Sequence, residues 1–245
     1  MKKINFFLVP ILLFLTNTTW SNNLIQLQSD TLSIITAVYR DSTNDGRAFL
    51  EIYYPIIENQ ENNPILNRVN EFLEEEFNQS IAWYEEAKND TLQMEEGFQF
   101  TYSFETDFSV AYNSKNFISI VLNHYQYTGG AHGNFYALGY NFNLINGNLI
   151  SLEDVINSDS FDMLGLECEE VILNEYKANS LFDAGLFENE INILPDQDFY
   201  ITPEALVLQF DPYEIAPYVM GQITAEIPFN RIMDILKTEL PFKFE

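Results

Sequence analysis

The sequence predicts an α+β fold of mainly antiparallel sheets packed with a few helices, arranged as two small α+β subdomains. Two observations carry this reading. Runs of β-branched and aromatic residues come in pairs joined by Asn, Asp and Gly turns, and helical patterns are interspersed without the regular strand–helix alternation of a parallel doubly wound sheet. The composition fits a packed chain: of 245 residues, 47% are hydrophobic and 15% aromatic, too apolar for a solvated tail. No internal repeat or low-complexity tract is present.

The chain opens "MKKINFFLVPILLFLTNTTWSNN", where Lys2 and Lys3 precede an apolar run over 6–15 and a short polar end at 19–21. That is the grammar of a secretory signal peptide over 1–21, which places the mature protein outside the cytoplasm, secreted or periplasmic. The apolar run is about half of the ~20 residues a spanning helix needs, so no membrane span is expected after cleavage. No cysteine follows the run to carry a lipid anchor.

Strands are expected over 31–39 and 48–56, separated by the turn "RDSTNDG". Asn63 and Pro64 then read as the cap and first residue of a helix whose apolar stripe is Ile65, Val69, Phe72, Leu73, Phe77 and Ile81. Glu71, Glu74, Glu75 and Glu76 lie mostly off that stripe and form a solvated face. The alternating run 98–113 pairs with 116–128, and a further strand over 134–145 ends at the turn Asn146-Gly147. Ser151 and Asp154 read as a capping box, and 160–178 as another helix. Strands over 199–202 and 205–210 flank Pro203-Glu204, followed by the Pro- and aromatic-rich loop "DPYEIAPYVMG", a strand over 222–227 and a closing helix capped by Asn230.

Charge restricts the partners. The formal net charge is −26, and without residues 1–21 nine bases would face 37 acids, a net charge of −28. Such a field repels nucleic acid and anionic membranes and attracts a basic protein.

The stretch "HYQYTGGAHGN" holds both histidines, His124 and His132. Two histidines and one distant cysteine are too few ligands for an ordinary zinc site, and no HExxH, paired-Cys, EF-hand, GxSxG or P-loop pattern occurs. No metal, no cofactor and no catalytic residue is therefore assigned. The glycines Gly129, Gly130 and Gly133 suit an irregular connection between long strands. The lone Cys168 reads as a small buried side chain.

Two segments carry a family resemblance. "YTGGAHGN" followed by "LISLEDVI", and then "FYITPEALVLQFDPYEIAPYVMG", resemble the C-terminal domain shared by the lysozyme-sensing anti-sigma factor RsiV and the peptidoglycan deacetylase PdaC. The part before them is similar to the PdaC-type domain that precedes it. The resemblance implies a PdaC-type domain over 24–115 and an RsiV-like domain over 116–243. The sigma-factor-binding segment of RsiV and the metal-dependent deacetylase domain of PdaC have no counterpart in the sequence. What the resemblance implies is a non-enzymatic cell-envelope binding module for a lysozyme-like basic protein or peptidoglycan. The alternative is a peptidoglycan- or glycan-modifying hydrolase using carboxylates or His132. Candidate contacts lie in two loops: Tyr127, Thr128, Gly129, Gly130, His132 and Asn134 in the first, Tyr213 and Tyr218 in the second.

Overall fold

The computed structural model describes residues 31–59, 61–91 and 101–244. The expected signal peptide and the first residues of the strand expected from 98 lie outside them. Among the described residues, nine strands and four helices form an α+β fold with two sheets. Strands β1 (Ile34–Ser42) and β2 (Ala48–Ile57) form the first hairpin, and the long helix α1 (Pro64–Thr91) follows. Next come β3 (Tyr102–Asn113), β4 (Phe117–Tyr127), β5 (Asn134–Asn143) and the short β6 (Asn148–Leu149). These six strands make one sheet in sequence order. The division expected at 115/116 falls at the β3–β4 turn within this sheet.

All pairs in the sheet are antiparallel except β2–β3, which run parallel. The sequence pattern did not disclose that pair. Helix α1 lies in the chain between these two strands, as the crossover of a parallel pair requires.

Asn63 caps α1, its side-chain oxygen accepting from the Ile65 amide at 2.9 Å. The buried stripe runs through Leu66, Val69, Leu73, Phe77, Tyr84 and Ala87. Leu66 rather than Ile65 starts it, and Phe72 and Ile81 flank it. This stripe packs on Leu50, Ile52, Phe104, Ile118, Ile120 and Leu122, one face of the sheet.

The second cluster is built by α2 (Leu152–Val155), α3 (Phe161–Tyr176), β7 (Phe199–Ile201), β8 (Ala205–Phe210), β9 (Ile223–Pro228) and α4 (Phe229–Ile232). Asp154 accepts from both the amide and the hydroxyl of Ser151, holding the start of α2 as expected. Cys168 is fully buried in this core, and burial raises its thiol far above the usual range. Asn230 does not cap the closing helix. Pro228 stands at the cap because buried Phe229, its amide held by the Glu204 carbonyl, draws the helix start forward.

The three-stranded sheet β7-β8-β9 docks on the face of the large sheet opposite α1. The outward backbone groups of β7 are taken by side chains of β4 and β5: Asn141 Nδ2 donates to Phe199 O at 2.9 Å, and Ile201 N donates to Ser119 Oγ at 3.1 Å. Ser119 Oγ in turn donates to Asn141 Oδ1 at 2.8 Å, closing a fully buried polar link. Part of the same sheet face, over β2, β3 and β4, is left uncovered by the other described residues.

Candidate recognition surface

The β4–β5 connection turns through Gly129 and Gly130, both at φ 96°, a conformation that glycine adopts at no steric cost. Gly133 has a different reason: a β-carbon there would lie 2.5 Å from the Tyr125 ring. The Tyr127 hydroxyl donates to Gly130 O at 3.0 Å, tying down the turn.

The second loop, 211–221, is anchored by a carboxylate. Asp211 Oδ1 accepts from the Ala137 amide and from Gln222 Nε2, each at 3.2 Å, fixing the loop to β5. Tyr213 holds a left-handed φ of 73°, uncommon for a bulky residue, and its side chain projects into solvent.

The two loops meet. The His132 ring stacks on Tyr218 with centroids 3.9 Å apart, and both His132 Nδ1 and the Tyr218 hydroxyl donate to Gly133 O, at 2.8 and 2.7 Å. Tyr218 also contacts Tyr213 at 5.7 Å and Phe135 at 5.6 Å between ring centroids. Of the residues expected from sequence, His132, Tyr213 and Tyr218 thus share one aromatic cluster. Tyr127, Gly129 and Gly130 shape the adjoining turn. Asn134 begins β5, where strand alternation puts it on the opposite face from Phe135. Thr128 lies away from the cluster, at an open cleft beside Trp83 on the α1 side.

Sequence reasoning missed Phe135, whose place against Tyr218 depends on tertiary contact. Phe135 also links the cluster to a groove of about 220 Å³ on the uncovered sheet face, lined by Glu51, Tyr53, Glu105, Asp107, Asn123 and Tyr125. Strand register was the only signal that could have found it.

The first histidine is not part of the aromatic cluster, though it also borders the groove. His124 is buried, stacks on Tyr136 at 4.7 Å and shares a 3.1 Å hydrogen bond between Nδ1 and Thr106 Oγ1. Burial pushes its pKa down to about 4, so it is neutral at physiological pH. Among the described residues, no group of three or more His, Cys, Asp or Glu is arranged to hold a metal ion.

Two family models match in succession: Deacetylase PdaC over residues 42–135, and Protein of unknown function (DUF3298) over residues 153–230. The order of the two matches is that of the RsiV/PdaC-like architecture, a PdaC domain followed by a DUF3298 domain. Peptidoglycan-N-acetylmuramic acid deacetylase PdaC of Bacillus subtilis (strain 168) is 25% identical over 201 residues, 80% of this chain and 41% of the relative. Anti-sigma-V factor RsiV of the same organism is 50% identical over 48 residues, 19% of this chain and 17% of the relative. The chain therefore matches less than half the length of either curated relative.

Two crystal structures share the fold. A DUF3298-family member from Bacteroides fragilis superposes with a TM-score of 0.70 at 18% identity, over 84% of this chain and 94% of the other. A DUF3298-family protein from Pseudomonas aeruginosa gives 0.65 at 20% identity, over 85% and 96%. Within the RsiV/PdaC-like architecture, His132 and Phe135 fall in the PdaC match and Tyr213 and Tyr218 in the DUF3298 match. The aromatic cluster is thus assembled by both.

Proposed function

We propose that this chain is a non-enzymatic binding module of the cell envelope, secreted or periplasmic, that recognises a cationic protein of the lysozyme type. The observation that carries the reading is the cluster of His132, Tyr213, Tyr218 and Phe135, built where the two family matches meet and presented on an acidic molecule. Aromatic side chains in a rigid setting supply contact area at low entropic cost, and they dominate protein interfaces. A net charge of −26 attracts a basic partner over the distance that salt permits, about 8 Å at physiological ionic strength.

The relatives support the cellular setting: one is named for action on peptidoglycan, and the RsiV resemblance implies a lysozyme sensor. The match spans 41% of the deacetylase, and the proposed module does not include that protein's reaction. Among the described residues no helix is long and apolar enough to cross a membrane.

The reading is tested by titrating the purified chain with hen-type lysozyme across a salt series while following muramidase activity. Binding is expected at low salt, weakening by about tenfold between 50 and 200 mM. Absence of binding at low salt contradicts it, as does release of modified muropeptides from purified sacculi.

A further inference from the structure

The groove beside the aromatic cluster contains a repeated pattern of charge that is filled in one place and open in the next. Strand register sets up a row across the uncovered sheet face: Arg40 on β1 opposite Glu51 on β2, Glu51 opposite Glu105 on β3, Glu105 opposite Tyr125 on β4, and Tyr125 opposite Phe135 on β5. Neighbouring members of the row stand about 5 Å apart at their backbones.

At the outer end the chain places its own arginine. Arg40 pairs with Glu51 and donates to the Tyr53 hydroxyl at 2.9 Å. Its guanidinium carbon lies 5.7 Å from the Tyr53 ring centroid. Tyr53 closes the unit by donating to Glu51 at 3.0 Å. One guanidinium, one carboxylate and one tyrosine thus satisfy one another.

One strand further in, the same elements recur without the cation. Glu105 faces the like charge of Glu51 on one side and the Tyr125 ring on the other. Asp107 is two residues along on the same face, one of its oxygens accepting from Asn123 Nδ2 at 2.7 Å. Among the described residues no lysine or arginine forms an ion pair with Glu105 or Asp107. The intervening cavity of about 220 Å³ is below the ~300–1,000 Å³ of small-molecule clefts and suits one long side chain.

We propose that this groove is a binding subsite for an arginine side chain of a partner protein, its guanidinium held by Glu105 and Asp107 against Tyr125. The proposal rests on the reading of a cationic protein partner and names the group by which that partner is gripped. Arg40 on Tyr53 and Glu51 is the internal example of the geometry. The Phe135 ring places the subsite next to the His132–Tyr218 cluster, so one partner covers both.

The test uses the full chain with a capped Gly-Arg-Gly-Arg-Gly peptide and its citrulline counterpart, which keeps the shape but not the charge. Wild-type protein is expected to bind the arginine peptide about tenfold more tightly than the citrulline one. Single Glu105→Gln and the double variant Glu105→Gln/Asp107→Asn are expected to weaken the arginine peptide by about tenfold, while Glu71→Gln/Glu75→Gln on the exposed face of α1 changes it less than about twofold. Both groove carboxylates are exposed, so these variants keep the fold. Equal binding of the two peptides overturns the subsite, and so does equal weakening by the α1 variant. Binding of soluble muramyl oligosaccharides that depends on Glu105, with no binding of the peptide, also overturns it in favour of a glycan. Lysozyme titrated against the same proteins separates the two claims. If lysozyme does not bind but the peptide still depends on Glu105, the lysozyme reading falls and the subsite stands. If lysozyme binds and the peptide does not, the subsite alone falls.

Discussion

Gly139 stands where a β-carbon would lie 2.1 Å from the Phe199 carbonyl oxygen and 3.1 Å from Gln209 Oε1. The close approach of β7 to β5 therefore requires glycine, with no unusual φ involved. Gly139→Ala is expected to destabilise the fold by about 3 kcal/mol, read by urea unfolding. A single glycine inside a strand run signals such an approach, but not the element that makes it.

Two titrating residues act in opposite directions. Asp198 is pushed up to about 6, first by burial and then by Asp211, Glu214 and Asp196. The ionised form is disfavoured in the fold, so this residue costs stability as pH rises from the unfolded carboxylate value of about 3.9 through 6. His124, pushed down to about 4 from 6.5, favours the fold when neutral and loses that contribution as pH falls through this window. Asp198→Asn is expected to raise the melting temperature at pH 7 and to leave it unchanged at pH 4. His124→Phe is expected to remove the loss between pH 6.5 and 4, so that the variant loses less stability on acidification than the wild type. Melting curves from pH 4 to 7 check both.

At the scale of elements, local chemistry announced α1, α2 and the hairpins, because a cap, a stripe or a turn residue lies within a few positions of the element it defines. Asn63, Ser151 and the 43–46 turn are examples. The parallel β2–β3 pair was not legible, since nothing in two apolar runs states their relative direction. The docking of β7 was equally hidden. Ser119 and Asn141 look like ordinary strand residues until the fold brings them to Phe199 and Ile201. Asn141→Ala leaves the Phe199 carbonyl without this donor and Ser119 without its acceptor in a buried setting. A loss of about 2–3 kcal/mol is expected in urea unfolding, and an unchanged midpoint would show the link to be dispensable.

At the scale of the molecule, charge and the two aromatic loops were evident from the sequence, and the structure joins His132 to Tyr213 and Tyr218. What the sequence withheld was the register that lines up Arg40, Glu51, Glu105 and Tyr125, and the β4–β5 pair that brings in Phe135 beside Tyr218. These depend on which residues face each other across strands distant in the chain. The central claim is that the aromatic cluster, set in an acidic field, is the contact for a basic protein. The direct measurement is calorimetric titration of lysozyme into wild-type protein and into His132→Ala/Tyr213→Ala, whose side chains are exposed and whose urea midpoint is expected to match that of the wild type. The account predicts salt-dependent binding by wild type, weakened about 30-fold in the variant. Equal affinity of the two proteins for lysozyme would contradict it.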